Sequence, residues 1–174
     1  MTGEIVGAQN GMLETMETNR AQPNAGRPGF PEIYLSLAFS LAERSTCKRL
    51  KVGTVITSTD YRKVLAVGYN GNASGLPNAC DRDEAGRCGC LHSEENAVIN
   101  CDSPRHMEKF AFVTHLPCVM CAKRLINLGT VKRVYYCHEY RSQESLAVFK
   151  AVGIEFFKLD FPKIAVQVAG GTEL

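Results

Sequence analysis

No stretch of this chain approaches the roughly 20 consecutive apolar residues that a membrane span requires. The amino terminus, MTGEIVGAQN, has neither the basic start nor the apolar run of a signal peptide, so a cytoplasmic protein is expected. Excess charge of one sign is also lacking: 20 Lys and Arg against 18 Asp and Glu leave a net charge of +2. That field is too weak to hold a polymeric nucleic acid or an anionic membrane surface. Residues 1–29 lack any sustained apolar period and are rich in Gly, Asn, Thr and Pro, as in NAGRPGFP. They are expected to form a flexible tail, with at most a short helix over residues 11–18. The remaining residues, 30–174, suffice for one domain with a substantial core but not for two. A composition of 45% hydrophobic and 22% charged residues is that of a soluble globular chain.

Cysteine, by contrast, is abundant. Eight cysteines stand at 47, 80, 88, 90, 101, 118, 121 and 137. In a reducing compartment such a count points to metal rather than to disulfides. Two short stretches carry the clearest pattern, His92-Ser93-Glu94 and Pro117-Cys118-Val119-Met120-Cys121. One imidazole (His92) and two thiolates (Cys118, Cys121) make three zinc ligands, and three rather than four leave one coordination position for water, the mark of a catalytic site. Zinc acidifies such a water to a pKa of roughly 7, and Glu94, two residues from the histidine, is placed to move its proton. Cys118 and Cys121 are one helical turn apart directly after a proline suited to a first turn, where the helix dipole favours the thiolate. His92 and Glu94 would diverge inside a helix, so both can face one metal only if His92 lies at or just before a helix start. Each piece alone has a bland reading: a CxxC is also a redox pair or half of a structural zinc site, and HSE is also a surface turn. Jointly they form H-x-E…P-C-x-x-C, the known signature of zinc-dependent nucleobase deaminases.

The periodicity supplies a frame for these residues. Apolar positions at helical spacing from Pro31 predict a first helix. VGTVITS (52–58) and VLAVGYN (64–70), joined by TDYRK, predict a hairpin, and residues 71–90 a long loop carrying Cys80, Cys88 and Cys90. Helices are then expected over 92–101, 118–128 and 142–152, alternating with strands over 110–115, 131–137 and 154–158. Alternation from residue 92 onward calls for parallel neighbours joined by right-handed crossovers. The expected fold is an α/β mixed five-stranded sheet with helices on both faces and the zinc residues at two adjacent helix starts. Cys101 and Cys137 lie in apolar contexts and are expected to be small core residues. The apolar IAVQVA near the carboxyl end is expected to cover either a sheet edge or a partner subunit.

With KVGTVI, VGYNG, HSEENAV, VTHLPCVMCAK and VYYCHEY occurring in this order, the chain resembles the deoxycytidylate deaminase family, including the related late-competence proteins of bacteria. The likeness covers roughly residues 33–158. It implies the three-layer α/β/α cytidine-deaminase-like fold, zinc, hydrolytic deamination of dCMP to dUMP, and a homo-oligomer, often a hexamer controlled by dCTP and dTTP. By the same resemblance His92, Cys118 and Cys121 are zinc ligands, Glu94 the general acid/base, Asn70 a sugar contact, Tyr140 an aromatic near the phosphate, and Asn96 and Lys51 motif positions. The chain departs from the family pattern where Ser93 replaces the usual alanine. It departs again near residues 100–103, where regulated relatives place an arginine for the effector triphosphate.

Two secondary signals remain. Arg44, Lys48, Arg49 and Lys51 cluster between the first helix and the first strand, either to bind a 5′-phosphate or simply to complement a helix carboxyl end. Cys47, Cys80, Cys88 and Cys90 suit a second, closed zinc site that fixes a loop poor in apolar residues; the alternative is free surface thiols. Some phage and bacterial relatives carry such a structural zinc. Cys47 falls where one of its ligands would lie, and Cys80 one residue away from the best match. Two other functions compete with dCMP deamination: adenosine deamination on transfer RNA, which shares the zinc chemistry, and a non-catalytic zinc-binding module, against which Glu94 stands.

Overall fold

The computed structural model describes residues 27–84 and 87–160. The expectations for most of the amino-terminal tail, for a helix over 11–18 and for IAVQVA lie outside these residues. Nine elements follow in order: α1 (Phe30–Ala42), β1 (Gly53–Ser58), β2 (Val64–Tyr69), α2 (Ser93–Ile99), β3 (Lys109–His115), α3 (Val119–Leu128), β4 (Val131–His138), α4 (Glu144–Ala151) and β5 (Glu155–Lys158). The sheet runs β2-β1-β3-β4-β5, with β1 antiparallel to both β2 and β3 and with β3, β4 and β5 parallel. This is the expected cytidine-deaminase-like architecture. Element type agrees with the periodicity throughout, and the differences are at the ends. Most concern caps: His92 and Cys118 precede their helices as N-caps with extended backbone. At α4, Ser142 turns its hydroxyl onto the Glu144 N–H at 3.2 Å, and the helix begins two residues later than the apolar pattern implies.

Alternation along the strands divides the core. On one face Val55, Phe112 and Tyr135 pack beneath Leu35 and Ala38 of α1. On the other, Ile56, Ala111 and Val134 meet Ala97 of α2, Leu125 of α3 and Phe149 of α4. β3 lies in the middle and is buried on both sides, which is why KFAFVTH reads as a nearly continuous apolar run. Cys137 is buried in the α1-side core and Cys101 packs against the other.

Two glycines let the layers close. A Cβ on Gly53 would stand 1.9 Å from the carbonyl oxygen of Ala38, and one on Gly68 would stand 2.1 Å from that of Ser93. Gly53 therefore admits α1, and Gly68 admits the first turn of α2, which carries the HSE stretch. Among the described residues no helix is long and apolar enough to cross a membrane.

Candidate active site

The carboxyl ends of the parallel strands and the starts of α2 and α3 enclose a cavity of about 440 Å³, within the usual range for small-molecule sites. His92, Glu94 and Cys118 line it, and Cys121 is fully buried just behind. Because His92 is an N-cap rather than a helical residue, its ring turns back toward α3 while Glu94 comes from the first turn of α2. The His92 Nδ1 lies 3.7 Å from Cys118 Sγ and 3.4 Å from Cys121 Sγ.

These distances fit a metal. Tetrahedral zinc with bonds of about 2.3 Å to sulfur and about 2.0 Å to nitrogen sets sulfur and nitrogen about 3.5 Å apart. Electrostatics agree. The Cys118 thiol is held at about 3, first by the hydrogen bond with Cys121 and then by His92, and its sulfur also accepts the Cys121 backbone N–H as the helix cap. The same pairing and burial push the Cys121 thiol up, so Cys118 is the readier thiolate. The hydrogen bond with Cys118 raises His92 against the opposing pull of burial.

Glu94 is only 4% exposed, and burial lifts its carboxyl above the ordinary glutamate range. Its Oε2 accepts from the Ser93 hydroxyl at 3.0 Å, and that hydroxyl sits 2.8 Å from Thr54 Oγ1 on β1. A carboxyl held in one orientation and raised in pKa suits proton transfer in both directions. Ser93 thus does more than replace an alanine: it is a hydrogen-bond partner of Glu94.

A second group forms the opposite wall. Cys47, Cys80, Cys88 and Cys90 bring four sulfurs within 4.8 Å of one another. The contacts are 3.8 Å from Cys80 to Cys47 and 3.6 Å from Cys90 to Cys80, where a tetrahedral Cys₄ zinc requires about 3.8 Å. Burial pushes the Cys47 thiol up, but hydrogen bonds from the Leu50 and Arg49 backbone, Cys80 and Cys88 outweigh it and the net shift is down. Both donor sets suit zinc, and Cys47, Cys88 and Cys90 border the same cavity as Glu94.

The substrate-binding expectations divide. Asn70, Arg49 and Tyr140 line the cavity. The Asn70 side chain ties the neighbouring loop, donating to Leu50 O at 2.7 Å and accepting from Val52 N at 2.8 Å. Arg49 donates to the Glu84 carbonyl. Lys51 and Asn96 are not brought into the cavity. Leu50 and Val52 face it, so the side chain between them points away, and the Lys51 ammonium pairs with Glu43 at 2.6 Å. The Asn96 amide donates to Tyr69 O at 2.8 Å and fastens α2 to the end of β2. The sequence reading missed Arg87, Arg141, His115 and His138, all of which line the cavity. Each arginine adjoins a residue already singled out, Cys88 or Tyr140, and that adjacency was the available signal.

A mixed sheet with an imidazole and two cysteine sulfurs at paired helix starts, and a carboxylate beside them, defines the class of zinc-dependent deaminases. Residues 30–138 match the family model described as the cytidine and deoxycytidylate deaminase zinc-binding region, and the chain belongs to that family. It is 34% identical over 128 residues to a deoxycytidylate deaminase of Mycobacterium phage D29, a match covering 65% of this chain and 98% of the phage protein. It is 28% identical over 162 residues to ComE operon protein 2 of Bacillus subtilis, covering 85% and 80%. The crystal structure of the cyanophage S-TIM5 dCMP deaminase in complex with dCMP and dUMP superposes with a TM-score of 0.68 at 34% identity, over 76% of this chain and 98% of that one. The matched region spans under half the length, 45% and 46%, of the two yeast deoxycytidylate deaminases that the chain also resembles.

Proposed function

We propose that this chain hydrolyses the 4-amino group of a pyrimidine deoxynucleoside 5′-monophosphate, dCMP plus water giving dUMP plus ammonia. The observation that carries this reading is the burial of Glu94 beside a three-donor zinc set in a cavity with arginines on its walls. Zinc held by His92, Cys118 and Cys121 supplies a Lewis acid that brings a water's pKa to about 7. Glu94 takes one proton from the attacking water and delivers it to N3 of the base, where it stays in the product. It then carries the second, from the hydroxyl formed at C4, to the amino nitrogen that departs as ammonia. Ser93 keeps the Glu94 carboxylate turned toward that path. The Asn70 amide retains one N–H for a sugar oxygen, having used the other on Leu50.

Arg49, together with Arg87 or Arg141, grips the 5′-phosphate beside Tyr140 through charge-assisted hydrogen bonds. Lys51 takes no part. The four cysteines of the opposite wall hold a structural zinc that fixes the loop bearing Arg87. Assembly into a homo-oligomer belongs to the same reading, and light scattering tests it.

The decisive assay is ammonia release by zinc-replete protein on dCMP, CMP, deoxycytidine and a transfer RNA. Deamination of dCMP should exceed that of deoxycytidine by about 100-fold in kcat/KM, the worth of two charge-assisted contacts. Equal activity on the nucleoside, or activity on transfer RNA alone, would refute it.

A further inference from the structure

The proposed mechanism leaves the cavity-lining His115 unused, and its hydrogen bonding constrains what it can offer. Thr114, wholly buried on β3, accepts the Gly53 N–H at 3.2 Å. Its hydroxyl oxygen also lies 3.0 Å from Nδ1 of His115. Were Nδ1 protonated, the Thr114 hydroxyl would accept twice and its own proton would be left buried without an acceptor. That arrangement costs the desolvation of a donor. The reverse arrangement satisfies every group: Gly53 N–H donates to Thr114, the Thr114 hydroxyl donates to His115 Nδ1, and the imidazole proton resides on Nε2.

The ring is also kept neutral. Burial, and then the neighbouring His138, pull His115 down to about 4. The two rings sit 4.9 Å apart at 49°, and Phe39 meets His138 edge-on at 5.6 Å, so the pair is packed in place. Nε2 has no hydrogen-bond partner among the described residues, and His115 lines the cavity.

We propose that His115 is a specificity-determining residue that presents an uncharged Nε2–H donor to an acceptor oxygen of the bound nucleotide. The oxygen belongs either to the phosphate or to the nucleoside, and the substrate used in the assay separates the two. An uncharged donor discriminates by geometry rather than by long-range attraction, and it leaves bulk charge neutralisation to the arginines.

This inference rests on the proposed nucleotide substrate, so its test has one arm that does not. Nitrogen-15 NMR of the zinc-loaded protein, with His115 assigned by comparison with His115→Gln, should show a neutral ring protonated at Nε2 at pH 7. Protonation at Nδ1, or a charged ring, overturns the proposal whatever the substrate. In kinetics, His115→Phe should raise KM for dCMP about tenfold, the loss of one hydrogen bond to a charged or strongly polar oxygen, with kcat within about twofold. His115→Gln, which restores an N–H near the Nε2 position, should recover most of it. A KM effect on dCMP alone assigns the contact to the phosphate, and an equal effect on deoxycytidine assigns it to the nucleoside. A wild-type KM in the Phe variant, or failure of Gln to rescue, overturns the proposal. No turnover of dCMP by the wild type would instead refute the substrate reading.

Discussion

The two cysteine-bearing walls of the cavity are held in place by different means. His92, Glu94, Cys118 and Cys121 hang from the starts of α2 and α3, whose Ala97, Ala122 and Leu125 are completely buried in the core. Cys80, Cys88 and Cys90 sit on a loop with little apolar burial. Among the described residues its backbone bonds are mostly local, such as Asp81 N and Arg82 N to Cys88 O, plus the bridge between Gly71 and Leu91. The first wall is therefore assembled by folding and only then offers its donors to a metal. The second has the four sulfurs themselves as its main point of convergence. On the proposed reading a cation in the first wall would serve chemistry, whereas one in the second would contribute directly to folding.

Several variants would break or sharpen that contrast. The largest effect is expected for Glu94→Gln, which keeps the shape and removes the proton carrier: kcat should fall by about 10³ to 10⁴ with zinc content and melting temperature unchanged. Kinetics and metal analysis of one preparation check both halves, and turnover near wild type removes Glu94 from the mechanism. Gly68→Ala comes next. Its Cβ would press on the Ser93 carbonyl and the Ala97 nitrogen, at 2.1 and 2.5 Å, so α2 must shift. A displacement of that size at the catalytic carboxylate should cost roughly 100-fold in kcat, while the four cysteines keep their zinc.

On the opposite wall, Cys88→Ser or Cys90→Ser should lower the melting temperature by about 6–12 °C, the consequence of losing about 3 kcal/mol in a domain of this size. Calorimetry measures it, and an unchanged transition would mean that the loop stands without its metal. The smallest pair compares two basic residues of one cluster. Arg49→Ala should raise KM for dCMP about tenfold, and Lys51→Ala, whose ammonium is committed to exposed Glu43, should leave it within about twofold.

How much of this was legible in the sequence depended on whether a residue acts locally. The HSE and PCVMC stretches lie at helix starts as the sequence implies, because a helix start imposes its geometry on the two or three residues around it. The need for His92 to stand before its helix followed from the angle between positions two apart. The antiparallel opening hairpin and the parallel pairing of the last three strands followed from the alternation, whereas the strand order, with β1 rather than β2 beside β3, did not. What did not read was which way a side chain points from irregular backbone. Arg49 and Lys51 are alike in charge and stand two apart, a spacing that extended backbone would send to one side, yet only Arg49 borders the cavity, because the chain bends at residues 48 and 49. Buried polar pairings across the chain were equally silent. In the sequence Ser93 shows only as a replaced alanine, because Thr54, its partner, lies 39 residues away. Lys109 is wholly buried at the start of β3, its ammonium held by the carbonyls of Pro104 and Met107 at 2.9 and 2.6 Å. Nothing local distinguishes it from a solvent-facing strand lysine.

The division of labour between the two walls is tested most directly by counting zinc per chain in the native protein and in Cys118→Ser. Elemental analysis of gel-filtered protein should find two ions in the first and one in the second, with the melting temperature of Cys118→Ser close to wild type. One ion in the native protein, or a Cys118→Ser variant that loses both, would contradict the account.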